Sequence, residues 1–551
     1  MTVFSAAQPA ANRKSGTGYN HRNFIRSPIL LSVPIVKGYV VAFNPILTPQ
    51  LESVQAPEGR VEVPVHSFCS PWNIFRVDSV RWIIYLRIVA FISSSITPRD
   101  TVPVQSRWRR IVTPIPVPES IPVIERLRAV EPVSMSAMPP VLWDEAEGFL
   151  VRDPYGNQWI DLTSAIVMAN AGHSHPRIVE AIHRAADGKL LATYAFPATG
   201  RSAVLEKLVS LSPIPDSKAI LFSAGTEATE AAMFVMRLYG RAIDPEKVGI
   251  LSFAAGYHGR TLAASMAAGT PRPDDWISRG QLHHYQIPFP FSPACAWGHD
   301  ASKTCDETCF ERCIELLDQR GVKPERIAGF IGEPAPGWAT LPIPPRFAEA
   351  MKSWADEHNI LICFDEVQSG CGRTGRWFGF EHTGVVPDLF TLGKGLSSSL
   401  PVSALVGRGE IMDLPPPGEM SSTHGGNPLC AEVALASLQV IEEEDLVRKS
   451  ADTGERVLKV LQGLRDEFPD RFMSVNGRGL YISAHFVDPV TGEPDVRLAD
   501  EIAETAVRRG VMMFVTGRGL LKIAPPLCID PEAAIEAAEV IRECFQEYTD
   551  A

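Results

Sequence analysis

The sequence predicts an α/β protein, built on a mainly parallel sheet covered on both faces and followed by a smaller α+β domain. Two patterns predict this. Apolar runs of four to six residues alternate with amphipathic stretches of ten or more through the middle of the chain, as strands buried on both sides and separated by helices would. Past residue 430 the pattern changes to helix first, "AEVALASLQVIEEEDL", and then to short strands and helices. The chain of 551 residues is long enough for two or three domains, and its 45% apolar and 21% charged content is that of a soluble globular protein.

The first 110 residues stand apart. They hold 13 Lys or Arg against 5 Asp or Glu, whereas the whole chain carries −12. Prolines interrupt their apolar patches, and no clean helical or strand period emerges. The best membrane candidate, Trp82–Ile96, has 15 residues including Arg87, short of the ~20 needed to span a bilayer. Three readings stay open: an organelle leader, a poorly ordered tail, and upstream sequence translated from a start placed too early. The fold is expected to begin near Thr113. From Trp143, "WDEAEGFLVRDPYGNQWIDLTSA" reads as short strands joined by a turn at 153–157. "HPRIVEAIHRAADGKL" (175–190) has helical spacing. The buried strand candidates follow at 219–225, 249–259, 327–334, 360–367, 389–395 and 402–408. Ligands of open α/β sheets bind beyond the carboxyl ends of such strands.

Charge and cysteine content narrow the function classes. A net −12 argues against nucleic acid as the main partner. Ten dilute cysteines in apolar or motif-like surroundings point to a reducing compartment, and cytoplasm is the expectation. No GxxxxGK[ST] occurs, so a triphosphate loop is unsupported.

Three strand ends carry chemistry. "FSAGTEATEAA" passes from strand through Gly225 and Thr226 into a helix whose free N–H groups and dipole suit an anion. "ILICFDEVQSG" runs a buried strand into Asp365, a carboxylate that needs a cation or strong donor there. "LFTLGKGL" puts Lys394 between two glycines at another strand end, where burial would lower its pKa. Phosphate seat, buried Asp and buried Lys are the three contacts that pyridoxal phosphate needs. The flanking glycines would let backbone and cofactor approach closely.

From Thr113 to the C-terminus the chain resembles the class III (ornithine, acetylornithine and 4-aminobutyrate type) aminotransferases of fold type I. Eight motifs occur in the family's order: "WIDLTSAIVMANAGHSHP", "SAGTEATEAA", "YHGRT", "GEP", "FDEVQSGCGRTG", "LFTLGKGL", "STHGGNP" and "LKIAPPL". The resemblance implies a pyridoxal-phosphate-dependent transferase acting on an amino donor and a keto acid. It implies Lys394 as the Schiff-base lysine and proton shuttle and Asp365 as partner of the ring nitrogen. Gln368 would contact the cofactor's phenolic oxygen, Gly225 and Thr226 its phosphate, and Tyr257 its ring. Thr423 would reach the phosphate of a neighbouring subunit, so a homodimer is implied. Arg260 would bind a substrate carboxylate distant from the reacting amine. The division that follows is an extension 1–112, the N-terminal part of a small domain at 113–164, a large cofactor-binding domain at 165–414 and the C-terminal small domain at 415–551.

Two departures bear on substrate. Where family members using 2-oxoglutarate carry Arg in "R-x-x-P-P-L", this chain has Lys522, which supplies charge without the planar fork. Five residues after the Glu of "GEP", where those enzymes often place a gating Glu, stands Trp338. The expected activity is transfer from an ω-amino acid such as 4-aminobutyrate, by a ping-pong mechanism. A lyase or decarboxylase on the same scaffold, an acetylornithine or ornithine aminotransferase, and a catalytically idle cofactor-binding protein are the alternatives. A third departure is "CAWGHDASKTCDETCFERC". Cys305, Cys309 and Cys313 would share one face if the segment were helical, and with Cys295 they are candidate zinc or iron–sulfur ligands. His299 is a possible fifth, and a helical insertion packing its thiols is the bland reading. Cys363 and Cys371, flanking Asp365, read as packing residues.

Overall fold

A computed structural model describes residues 95–135, 138–269, 283–300 and 302–549. Most of the expected extension, and the candidate membrane segment Trp82–Ile96 except its last two residues, lie outside them. Among the described residues no helix is long and apolar enough to cross a membrane.

The first strands are short: β1 (Val104–Gln105), β2 (Arg110–Ile111), β3 (Glu145–Glu147), β4 (Leu150–Arg152) and β5 (Gln158–Asp161). The turn between β4 and β5 forms because Asp153 Oδ1 accepts from the Tyr155 and Asn157 N–H groups at 3.0 and 2.9 Å. The expected start near Thr113 is too late. β1 and β2 pair with each other and β2 pairs with β5. Ile111 is fully buried, and Arg109 bonds Glu536 at 2.6 Å and the Arg509 carbonyl at 2.8 Å. Two-residue strands have no period to read, so only these contacts with the far end of the chain reveal them.

The central sheet contains β6 (Ser217–Phe222), β7 (Gly249–Phe253), β8 (His284–Ile287), β9 (Ile327–Gly332), β10 (Leu361–Asp365), β11 (Leu389–Leu392) and β12 (Ser403–Arg408). Its order is β6-β12-β11-β10-β9-β7-β8. Pairings from β8 through β11 are parallel, and β12 runs antiparallel to both its neighbours. Every residue of β7, β9, β10 and β11 is buried, as helices on both faces require. Of these strands, β8 alone was not among the sequence candidates.

The helix Gly225–Ile243 packs on this sheet through Ala228, Ala232, Met233 and Met236. The approach is close: a Cβ on Gly329 would lie 2.1 Å from Met236 Sδ. Register sets the start of the helix at the carboxyl ends of the strands: Phe222, at the end of β6, pairs with Ser403, and the next residue, Ala404, pairs with Leu392 at the end of β11.

The C-terminal part adds β13 (Phe472–Arg478), β14 (Tyr481–Phe486), β15 (Val511–Met512) and β16 (Leu520–Ile523), with helices Leu446–Glu467, Val496–Arg508 and Pro531–Thr549. β13, β14 and β16 form an antiparallel sheet. β15 instead joins β5 in parallel, so the two ends of the described chain share one sheet.

Candidate active site

Asp365 ends β10, Lys394 lies just beyond β11, and the loop after β7 carries Tyr257 and His258. Register pairs Asp365 with Thr391, which sets the acid and the lysine on neighbouring strand ends. Both face a cavity of about 160 Å³, whose walls include His258, Glu333, Gln368 and Gly225.

Asp365 is almost wholly buried and held from three sides. Its Oδ1 accepts from Val367 N–H at 3.1 Å and Thr391 Oγ1 at 3.0 Å. Its Oδ2 stands 2.7 Å from His258 Nδ1. Burial works against a charged His258 ring, yet the hydrogen bond and charge of Asp365, with Glu333, outweigh it and raise the pKa. His258 Nε2 is buried and has no hydrogen-bond partner among the described residues. Sequence reasoning passed over His258, although it sits in "YHGRT" beside Tyr257.

Lys394 adopts a φ of 44°, a left-handed conformation uncommon for a side-chain-bearing residue. Burial lowers its pKa, with Asp365 and Glu333 opposing. The flanking glycines serve protein neighbours: a Cβ on Gly395 would lie 2.3 Å from Asn170 Nδ2, and one on Gly393 3.2 Å from Val367 Cγ1.

Gly225 and Thr226 open their helix at the cavity wall, where the first N–H groups lack intrahelical partners. The Glu227 carboxylate accepts from Ser223 N–H at 2.7 Å and Ala224 N–H at 3.1 Å, which fixes the entry. Space is tight. A Cβ on Gly225 would stand 2.9 Å from Val367 Cγ1, and one on Gly259, at φ 128°, 2.2 Å from Thr226 Oγ1.

Gln368 joins the cavity to Lys522. Its Oε1 accepts from the Tyr481 hydroxyl at 2.6 Å and from Lys522 Nζ at 2.8 Å, so its amide N–H groups remain as donors. Lys522 is buried with Nζ 4.9 Å from the Tyr481 ring centre. Burial and then repulsion from Lys394 pull its pKa down to about 7, with Glu333 opposing. Trp338 packs on Phe289 and Phe291, ring centres 5.8 and 5.1 Å apart, making an aromatic wall where a gating acid was sought.

Tyr257 donates its N–H to Glu333 Oε2 at 2.9 Å. The exposed Arg260 guanidinium lies 5.4 Å from the Tyr257 ring centre. Arg518, a cation that sequence reasoning missed, lies within electrostatic range of both Arg260 and Glu333. Thr423 is exposed and off the cavity walls.

The cysteines separate. Cys363 and Cys371 are buried in the apolar core. The expected single helical face for Cys305, Cys309 and Cys313 is not formed, because Asp306 caps a helix that starts only at Glu307, leaving Cys305 in the preceding loop. Cys295, His299, Cys305 and Cys309 converge, and Cys313 is not in that group.

The cavity residues fit pyridoxal phosphate. A helix start suits its phosphate, and an immobilised buried carboxylate suits a protonated ring nitrogen. A lysine with lowered pKa suits its aldehyde, and the unpartnered His258 nitrogen leaves a polar group for a ligand to satisfy.

Comparison with known proteins agrees. The sequence profile described as Aminotransferase class-III matches residues 132–545. A 4-aminobutyrate aminotransferase of Mycobacterium leprae is 30% identical over 446 residues, covering 80% of this chain and 98% of that protein. A leucine/methionine racemase of Thermococcus litoralis is 32% identical over 435 residues, covering 77% and 95%. A solved transaminase, studied with L-alanine, superposes with a TM-score of 0.67 at 28% identity, covering 74% of this chain and 99% of its own.

Proposed function

The chain belongs to the class III aminotransferases, and from that premise we propose that it transfers an amino group from an ω-amino acid of the 4-aminobutyrate kind to a keto acid in a ping-pong cycle. The observation that carries the reading is the pairing, in one cavity, of the Lys394 amine with a carboxylate, Asp365, that is held from three sides. Pyridoxal phosphate, the family's cofactor, supplies when bound an aldehyde that captures amines and a ring that withdraws electrons. Gly225 and Thr226 would hold its phosphate, Tyr257 would cover its ring, and Gln368 would offer its free amide N–H to the phenolic oxygen. Asp365 would keep the ring nitrogen protonated, and His258 holds Asp365 in place.

Lys394 Nζ takes the proton leaving the amine-bearing carbon of the substrate and holds it for return. Burial lowers its pKa, which favours the neutral amine that can do so. Two cations bracket the substrate's carboxylates: Lys522 behind Gln368 for the one beside the reacting carbon, and Arg260 beside Tyr257 for a distant one. A guanidinium beside Tyr257, apart from the Gln368–Lys522 pair, favours a donor whose carboxylate is remote from its amine. The racemase relatives support a second reading, in which the same Lys394 moves a proton on an α-amino acid and no keto acid is consumed.

The rest of the assignment is of the same kind. The domain division at 164 and 414, a homodimer in which Thr423 serves the neighbour's phosphate, and a cytoplasmic location belong to this proposal. The nine cysteines among the described residues, all free thiols, favour a reducing compartment.

Single half-reactions test it. Purified, cofactor-loaded protein receives 4-aminobutyrate, β-alanine, ornithine, N-acetylornithine or phosphoethanolamine, one at a time, and the visible cofactor band is followed. Conversion by 4-aminobutyrate or β-alanine, reversed by one keto acid, is expected, with Lys394→Ala abolishing it. Inversion of an L-amino acid without keto acid would favour the racemase reading, and ammonia release with an unchanged band a lyase.

A further inference from the structure

The loop between β8 and the helix Glu307–Gln319 gathers three thiols and an imidazole around one point. Cys295 follows a short 3-10 turn (Ser292–Ala294), His299 and Cys305 lie in the loop, and Cys309 is in the first turn of the helix. One donor atom from each lies within 4.8 Å of all the others. Cys295 Sγ and Cys309 Sγ are 3.9 Å apart, and His299 Nε2 is 3.2 Å from Cys305 Sγ. A tetrahedral zinc with bonds of about 2.3 Å to sulfur and about 2.0 Å to nitrogen has edges of roughly 3.5–3.8 Å. The observed separations fall around those edges.

The surroundings are built for the same purpose. His299 Nδ1 lies 3.0 Å from the Asp300 carbonyl oxygen. Donating there fixes the tautomer and leaves the Nε2 lone pair facing the sulfurs, as for a metal-bound histidine. The Trp297 N–H approaches Cys295 Sγ at 3.4 Å, a contact that stabilises a thiolate. Ser292 Oγ accepts from Cys305 N–H at 3.0 Å, and Asp306 caps the helix on which Cys309 rides. The three thiols are buried and the imidazole is half-buried, so the donors point inward from a closed loop.

We propose that Cys295, His299, Cys305 and Cys309 form a structural zinc site. Soft thiolates with one imidazole exclude calcium and magnesium as preferred ions. A disulfide is a poorer account, because 3.9 Å is nearly twice the ~2.05 Å of an S–S bond. An iron–sulfur cube places its inorganic core between its ligands, and donors within 4.8 Å of one another leave no room for it. On binding, each thiol still protonated gives its proton to buffer. Zn²⁺ with three thiolates and a neutral imidazole then carries a net −1.

The site pins the segment that leads from Phe289 and Phe291 into the helix. Those rings pack on Trp338, and Phe291 also packs on His485 at 5.5 Å. Zinc would therefore hold the aromatic packing around Trp338 in place.

Full-length, cofactor-loaded protein from zinc-supplied cells should contain about one zinc per chain by elemental analysis. Cys309→Ser and His299→Ala should each lose it, and Cys313→Ser, which removes a neighbouring thiol outside the set, should keep it. Should those variants fail to fold, wild-type protein stripped by chelator and titrated with cobalt(II) should develop the visible bands of a tetrahedral thiolate site, saturating at about one equivalent. Absence of zinc together with absence of those bands would overturn the proposal. So would iron with acid-labile sulfide, a Cys295–Cys309 disulfide in protein alkylated at lysis, or zinc lost from Cys313→Ser alone.

Discussion

Lys522 shows how one residue sets a pH dependence. Its amine is buried beside Tyr481 and Gln368, and its pKa falls from the ordinary 10.5 to about 7. Below about pH 7 it is an ammonium able to bind a carboxylate, and above it an amine that binds one weakly. The KM for a keto acid such as pyruvate should therefore rise as pH passes through 7, approaching ~10-fold per unit, while kcat changes less. Lys522→Arg should flatten that rise, because guanidinium stays charged throughout. Parallel KM profiles for both proteins from pH 6 to 9 would remove Lys522 from the carboxylate site. The stability sign is separate. The folded chain binds fewer protons than the unfolded one between about 7 and 10.5, so this group's penalty on stability shrinks as pH rises through that window. Lys394 and Asp365 were legible in the sequence because a charge at the end of an apolar strand demands a reason. His258 was not, since its value lies in a 2.7 Å contact with Asp365 across 107 residues.

Among the elements, the strands buried on both faces were readable and their connections were not. β7, β9, β10, β11 and β12 each lie within a segment that the apolar runs marked out, and β6 overlaps one but begins two residues before it. The edge strand β8 is only partly buried until Ile287, and so lacks the continuous apolar run that marks the others. The loop after β10 illustrates what connections conceal. Glu366 looks like a second catalytic acid in "FDEV", but its carboxylate is buried and accepts from Gly379 N–H at 2.9 Å, Phe380 N–H at 2.7 Å and Ser369 Oγ at 2.7 Å. It ties the loop back to the strand that carries Asp365. Glu366→Ala strands three buried donors and should cost about 3 kcal/mol. Denaturant unfolding of cofactor-saturated protein measures it. A loss under about 0.5 kcal/mol, within the range of an ordinary surface change, would mean that the loop finds other acceptors.

At the scale of the molecule, the cavity depends on parts far apart in sequence. Arg373 is fully buried and donates to the Leu480 and Pro525 carbonyls and to Asn170 Oδ1, so one side chain joins three distant segments. The motif "FDEVQSGCGRTG" contained that arginine, but no local pattern said which backbone it would reach. The start of the fold upstream of Thr113 was hidden for the same reason. Thr423 poses the remaining question of scale, because within one chain it is exposed and off the cavity. Its loop lies beside a run of exposed apolar residues: Tyr194 bonds Ser421 at 3.1 Å, Asn427 bonds the Leu191 carbonyl at 2.5 Å, and Phe196 is 75% exposed. An apolar patch next to a residue assigned to a neighbour's phosphate is what the proposed homodimer requires. Mixing two inactive chains separates the possibilities. Lys394→Ala chains keep Thr423, and Thr423→Ala chains keep Lys394 but should bind cofactor weakly. If Thr423 serves the opposite subunit, each mixed dimer holds one intact site. Unfolding and refolding the two chains together at limiting cofactor should then restore about a quarter of wild-type activity. If Thr423 serves its own subunit, no mixed dimer has a complete site. Activity then stays at the level of the parents, which would remove Thr423 from the partner's site.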